Sequence, residues 1–287
     1  MTSPTLAGRN ARRFTAPSVI PGFGLTFGFT LLYLGLIVLF PLATLIWRAS
    51  GLGLHGLYAI ATEPRVAAAL RTTFLLSFLA AIIDLFFGLI IAWALARYDF
   101  FGRRLFDAFV DLPLALPTAV AGISLAALYS PNGWFGAPLA DADVKIAFTR
   151  AGILVALIFI GLPFVVRTVQ PIISELEAEL EEASATLGAA RLQTVIRVLL
   201  PPLVPALLTG FALAFARSIG EYGSVIFIAG NIPYVSEIAP LLIVVKLEQY
   251  DFAGATAIAT IMLAISFAAL LIINFVHAWS RRRFGHV

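Results

Sequence analysis

Residues 22–47 read GFGLTFGFTLLYLGLIVLFPLATLIW, without a single charge between Gly22 and Trp47. A helix crossing the ~30 Å hydrocarbon layer of a bilayer needs about 20 mostly apolar residues, each advancing ~1.5 Å, and this run is long enough. Elsewhere, Phe252 to Ser280 is also uncharged, and Thr72 to Ala96 carries only Asp84. Leu112 to Ser130 is uncharged and begins near Leu105 if Asp107 and Asp111 sit at the interface. Ala151 to Val166 is short, so its helix is expected to run on toward Val169; Leu203 to Ala229 contains Arg217 and Glu221. These stretches predict an all-α integral membrane protein with six transmembrane helices. Ile238 to Val245 is too short to cross and reads as a re-entrant or interfacial helix. The first run follows Arg9, Arg12 and Arg13, as a secretory signal would, but exceeds an h-region of ~7–15 residues and is expected to be retained.

Composition agrees. Of 287 residues, 61% are apolar and 12% charged, with mean hydropathy +0.98. Soluble domains run near ~45–50% and ~25%. The absence of cysteine excludes disulfides, thiolate zinc sites and cysteine nucleophiles. Three scattered histidines (His55, His277, His286) offer no metal site, and no cofactor is expected. The net charge of +3, with arginines blocked at both ends, points to a membrane surface and not to nucleic acid.

Orientation follows from Lys and Arg. One set of loops holds Arg9, Arg12, Arg13, Arg97, Arg103, Arg104, Arg167, Arg191, Arg197, Arg281, Arg282 and Arg283. The other holds Arg48, Arg65, Arg71, Lys145, Arg150 and Lys246. Twelve against six predicts that both termini are cytoplasmic. The expected layout is a cytoplasmic tail over 1–20, one transmembrane domain over 21–280 with a long cytoplasmic loop at 167–202, and a second cytoplasmic tail over 281–287. No internal repeat is evident.

In that loop, Ser174-Glu175-Leu176-Glu177 fits a capping box at a helix start. Leu176, Leu180, Ala183 and Leu187 then recur at helical spacing, with Glu175, Glu179 and Glu182 on another face. Gly188 is a natural stop. A second helix, Ala190 to Leu200, is expected to break at Pro201-Pro202, which opens span five. A helix resting on lipid headgroups carries basic residues. This one carries five glutamates from Glu175 to Glu182, which favours a protein partner.

The stretch Glu181-Glu182-Ala183-Ser184, Leu187-Gly188, then Val198, Leu200 and Pro201, resembles the EAA motif in permease subunits of binding-protein-dependent ABC importers. Ser184 stands for the usual third alanine and Val198 for the usual isoleucine. The resemblance implies the type I importer (MetI-like) fold and makes the helix ending at Gly188 a coupling helix that docks on a separate ATPase subunit. A P-loop needs G-x-x-x-x-G-K-S/T, whose lysine and backbone amides hold the phosphates. Lys145 and Lys246 are the only lysines, and neither has that context. The chain is therefore expected not to be an enzyme, with ATP hydrolysed elsewhere.

Asp111-Leu112-Pro113-Leu114-Ala115-Leu116-Pro117-Thr118-Ala119-Val120-Ala121-Gly122 and Arg217-Ser218-Ile219-Gly220-Glu221-Tyr222-Gly223 look like the sulfate/molybdate branch of these permeases. Phe164-Val165-Val166-Arg167-Thr168-Val169-Gln170-Pro171, Phe227-Ile228-Ala229-Gly230-Asn231 and Leu247-Glu248-Gln249-Tyr250-Asp251 resemble the T-type subunit of the sulfate/thiosulfate importer. That resemblance implies a bacterial-type inner membrane, a heterodimer with a W-type permease, two copies of an ATP-binding ABC subunit, and a periplasmic sulfate/thiosulfate-binding protein. A molybdate/tungstate permease of the same family and a stand-alone secondary anion transporter are the alternatives. Against the latter stand the lack of an inverted repeat and of proton-relaying acids. An intramembrane enzyme would need a nucleophile with its base or a metal cluster, and no HExxH occurs.

By their residue chemistry alone, the same segments are less specific. Pro113 and Pro117 either kink span three or border a wet cavity that re-satisfies the backbone. Arg217 and Glu221, four apart, must face protein or water, since a charge at the bilayer centre costs ~2.5–3.5 kcal/mol. Arg217 either attracts a passing dianion weakly or pairs with Glu221 or Asp84, and pairing is favoured because a free arginine would hold sulfate too tightly. Ser218, Thr118 and Ser124 are candidates to line a path. Gly210, Gly220 and Gly223 are expected to serve helix packing.

Overall fold

The structure, a computed structural model, describes residues 23–284, the side chains at 277 and 279–284 excepted. The tail over 1–20, Arg9, Arg12, Arg13 and His286 lie outside the described residues. The chain divides into two units, residues 1–48 and 49–287. Among the described residues there are helices and no strand. Among the described residues five helices are long and apolar enough to cross a membrane, six when one bent pair counts as a single crossing.

Helix α1 (Phe23–Ser50) carries no charge before Arg48 in its last turn and exposes apolar side chains all round, as lipid contact requires. It widens into a π turn at Gly35–Leu39, where Phe40 N–H bonds back to the Gly35 carbonyl. Pro41 follows at once. Proline lacks an N–H and crowds the carbonyl four residues back, and a wider turn just before it relieves both problems.

In the second unit, α2 (Gly53–Ala61) leads to α3 (Pro64–Arg97), the second crossing. The third crossing is bent. Between helix α4 (Arg103–Ala115) and α5 (Thr118–Tyr129) the chain bends by 113°. The break falls at Leu116-Pro117: a residue before proline avoids the helical region, and Leu116 has ψ 137. A continuous span from Leu112 to Ser130 is therefore corrected. Pro117 makes the bend, whereas Pro113 sits inside α4.

After the short α6 (Gly136–Asp141), α7 runs from Arg150 to Glu175 and is much longer than its uncharged stretch. The expected cytoplasmic loop at 167–202 thus begins as helix. Helix α8 (Ala178–Thr186) is a short stub that follows the fourth crossing. Helix α9 (Arg191–Ile219) then continues without a break through Pro201-Pro202. The prolines do not end it because a second π turn, Val195–Leu199, precedes them, with Leu200 N–H on the Val195 carbonyl. The fifth crossing stops at Ile219, ten residues short of Ala229, and Val225–Ile228 forms a separate turn, α10. Helix α11 (Ala239–Glu248) is the short expected element. The last crossing, α12 (Phe252–Phe284), carries its backbone helix past 281, where a tail was expected to start.

The core lies where α3, α7 and α9 meet. Val165, Val166, Val169 and Ile173 of α7 are fully buried against Ala81, Ala92 and Leu95 of α3 and Leu203, Leu207 and Phe215 of α9. Val165 is pinched between two glycines. A Cβ on Gly88 would fall 2.7 Å from Val165 Cγ1, and one on Gly210 would fall 3.0 Å from its Cα. Lipid is as apolar as leucine, so helices here gain by close approach, which small residues permit. Gly161 abuts the Asp84 carboxyl in the same way. Asp84 is fully buried, and neither of its oxygens has a hydrogen-bond partner among the described residues. A second cluster joins Leu76, Ala80, Ile153 and Leu157 to Val225, Ile228 and Ile238. Arg65 of α3 is held to buried Glu237 by two bonds of 2.8 and 2.7 Å.

Candidate functional site

The stub α8 is attached by few points and exposed elsewhere. Ser174 does not cap it: Ser174 and Glu175 close α7, and Ser174 Oγ donates to the Gln170 carbonyl at 3.0 Å. The residue before α8 is Glu177, and among the described residues no side chain caps the stub; Gln193 Oε1 instead accepts from Ala190 N–H at 3.0 Å at the start of α9. Glu181 Oε1 lies 3.1 Å from Arg97 Nη2 at the end of α3. Ser184, 7% exposed, is 2.9 Å from the Thr194 hydroxyl. The face turned inward is therefore Leu180, Glu181 and Ser184, while Ala183 and Leu187, expected to continue the apolar stripe, point outward. Leu187 is 87% exposed.

The stub ends as glycine requires. Gly188 has φ +81. Its N–H bonds the Ala185 carbonyl and that of Ala189 bonds the Ser184 carbonyl, both at 3.0 Å, the pair that closes a left-handed helix end. Glu175, Glu177, Glu179 and Glu182 are exposed around it. The result is a short acidic helix with an exposed leucine at its tip, tied to α3 by an ion pair and to α9 by a hydroxyl contact. Leu200 and Pro201 lie beyond the π turn, inside α9.

The second group of candidate residues gathers at the bend of the third crossing. A Cβ on Gly122 would strike the Ser224 backbone and one on Gly223 would strike Thr118 Oγ1, so α5 and the loop after α9 are in close contact. Gly220 has open space beside it, so packing explains Gly210 and Gly223 but not Gly220. Arg217 Nη1 lies 2.6 Å from Glu221 Oε2. The other Glu221 oxygen accepts from Ser224 N–H at 2.8 Å and Ser224 Oγ at 2.9 Å. Glu221 is 3% exposed; the Arg217 side chain is one-third exposed. Asp84 takes no part in this pair. Ser218 Oγ is buried without a partner among the described residues, whereas Ser124 is exposed beside Leu128 and Trp134.

Residues 84–286 match the model of a family described as "binding-protein-dependent transport system inner membrane component". That match covers well over half of the chain. The chain belongs to this family of membrane-spanning transport components. Among its curated members, the "sulfate transport system permease protein CysT" of Salmonella typhimurium is 49% identical over 269 residues, 93% of this chain and 97% of that one. The protein of the same name from Synechococcus elongatus is 51% identical over 257 residues, 90% and 92% of the two chains. Solved structures share the fold. A chain of a bacterial alginate ABC transporter superposes with TM-score 0.74 at 18% identity, covering 91% of this chain and 96% of that one. One of the MetNI methionine ABC transporter gives 0.55 at 19%, covering 78% and 99%. As a family member with several membrane-crossing helices, it is a multi-pass inner membrane protein.

Sequence reasoning missed a clamp. Arg167, counted only as a loop charge, holds Asp111 through Nε and Nη2, both at 2.7 Å, and Asp107 through Nη1 at 2.7 Å. Nη2 also donates to the Asp107 carbonyl, and Nη1 to Gln170. Asp107 and Asp111 lie one turn apart on α4, and that spacing opposite a lone arginine was the available signal. The clamp fixes α4, ahead of the bend, onto α7. Arg167→Lys keeps the charge but loses the planar fork, so a stability loss of about 2 kcal/mol is expected. A thermal midpoint equal to the wild-type value would show that the fork contributes nothing. In the Leu247–Asp251 stretch, Asp251 Oδ1 accepts from Gly254 N–H at the start of α12 and Oδ2 from Lys246. These two bonds, the backbone one first, hold its carboxyl below the usual carboxylate range.

Proposed function

We propose that this chain is the membrane-spanning permease subunit of an ATP-driven sulfate/thiosulfate importer, and that α8 is its coupling helix. What carries the reading is the identity of about half of all positions, over nine-tenths of the chain, to permeases named for sulfate transport. The exposed acidic stub supports the coupling role: it offers Glu182 and Leu187 to a partner. A pull on α8 passes into α3 through Glu181 and Arg97 and into α9 through Ser184 and Thr194. Both helices pack on α7, so the stub is joined to the core of the bundle.

The assembly is a heterodimer with a W-type permease, with two copies of an ABC ATPase below and a periplasmic sulfate/thiosulfate-binding protein above. The ATPase is a separate chain, since this one lacks a P-loop lysine. Both termini and the 167–202 segment face the cytoplasm, and a single six-crossing domain spans 21–280. Proteoliposomes holding the four components are expected to accumulate labelled sulfate only with ATP and binding protein present. Uptake by this polypeptide alone, or none by the full assembly, would overturn the reading.

A further inference from the structure

A groove runs between the C-terminal half of α3 and the first turns of α9. It has a volume of about 360 Å³ and is lined by Ile90, Trp93 and Tyr98 on one wall and Val195, Leu199 and Leu203 on the other. Every lining side chain is apolar or aromatic. Arginines stand at one end on both walls. Arg97 precedes Tyr98, and its guanidinium lies 5.7 Å from the Trp93 ring centre. Arg191, Val195, Leu199 and Leu203 recur every four residues, which sets Arg191 on the groove side one turn beyond its apolar floor. Arg191 is exposed and in no ion pair with a described residue. Trp93 and Tyr98 have the amphipathic rings that settle at headgroup level.

The geometry points to an anionic phospholipid bound here, in the leaflet on the α8 side, with an acyl chain along the groove and its phosphate between Arg97 and Arg191. Charge selects the headgroup: Arg97 and Arg191 stand where the apolar walls end, Glu181 faces Arg97, and the other glutamates of α8 are exposed on its outward faces. Size selects the tail. A slender acyl chain suits an open groove of this size whose lining is wholly apolar or aromatic. The lipid lies against the π turn Val195–Leu199, through which α8 is joined to the fifth crossing. The site does not depend on what docks on α8.

The test is quenching of Trp93 by lipids brominated in the acyl chain, with Trp47, Trp134 and Trp279 changed to Phe and the full chain in vesicles. Brominated phosphatidylglycerol is expected to quench saturably at a low mole fraction, and brominated phosphatidylcholine only in proportion to its abundance. Ala94→Phe, which fills the groove, abolishes the saturable part. Arg191→Gln, on an exposed face and harmless to folding, raises the mole fraction for half-quenching about fivefold. Equal quenching by both lipids, or saturable quenching that survives Ala94→Phe, overturns the site. So does an absence of quenching by either lipid, which would mean that protein, α1 or a partner permease, covers the groove.

Discussion

Gly188→Val is expected to lower ATP-driven sulfate uptake about tenfold or more while the chain still inserts and assembles. Gly188 has φ +81, a conformation that costs an L-residue ~1–2 kcal/mol and a β-branched one more. Nothing lies within 4 Å of a Cβ built there, so the effect is conformational and confined to the turn. To relieve the strain, the hydrogen bonds from Gly188 and Ala189 must open, and α8 then leaves its angle to α9. A misplacement equivalent to ~1.4 kcal/mol in docking is already a factor of ten. Gly188→Ala and Gly188→Asp, with smaller conformational penalties, should fall between, Asp also adding a charge beside exposed Leu187. Uptake into proteoliposomes with all partners, beside the thermal midpoint of each variant, makes the measurement. Wild-type uptake by Gly188→Val would mean that the angle of α8 transmits nothing.

The legible parts of this molecule are those where lipid imposes a length. Gly22 to Trp47 and Phe252 to Ser280 could be read directly because a charge-free run of that size has one use. Charge misled where it was satisfied sideways. Arg167 looked like the start of a loop, yet Asp107 and Asp111 hold it laterally, and α7 continues to Glu175. Proline misled in both directions. Pro117 breaks the third crossing through the conformation it forces on Leu116, whereas Pro201-Pro202 sit inside a continuous helix because a π turn comes first. Nothing in residue order foretells that turn. In the stub, helical period located α8 but not its buried face. Ser184, a departure from the family pattern, turns out to be the tie to Thr194, and Glu181 meets an arginine 84 positions earlier. Contacts of that sequence separation are set by packing of the whole bundle and leave no local pattern.

Arg217→Met should give the largest loss of stability of any single change here. Helix α9 stops at Ile219, and the chain folds back so that Glu221, 3% exposed, meets Arg217 at 2.6 Å. Removing the arginine leaves a buried carboxylate with only the Ser224 N–H and hydroxyl as donors. Breaking a buried pair in this way costs ~3–5 kcal/mol, and the one-third exposure of Arg217 places the figure at the lower end. The variant should accumulate poorly and melt well below wild type. Arg217→Met combined with Glu221→Gln removes the stranded charge while keeping an acceptor for Ser224. The double variant should therefore recover most of the stability, with a coupling of at least ~2 kcal/mol between the two positions. Transport then separates pairing from substrate contact. An arginine already engaged by Glu221 has little to offer a passing dianion, so the recovered double variant should carry sulfate at near wild-type rate. If it folds, assembles with its partners and yet transports nothing, Arg217 touches the anion, and its pairing with Glu221 is the resting state of a translocation residue.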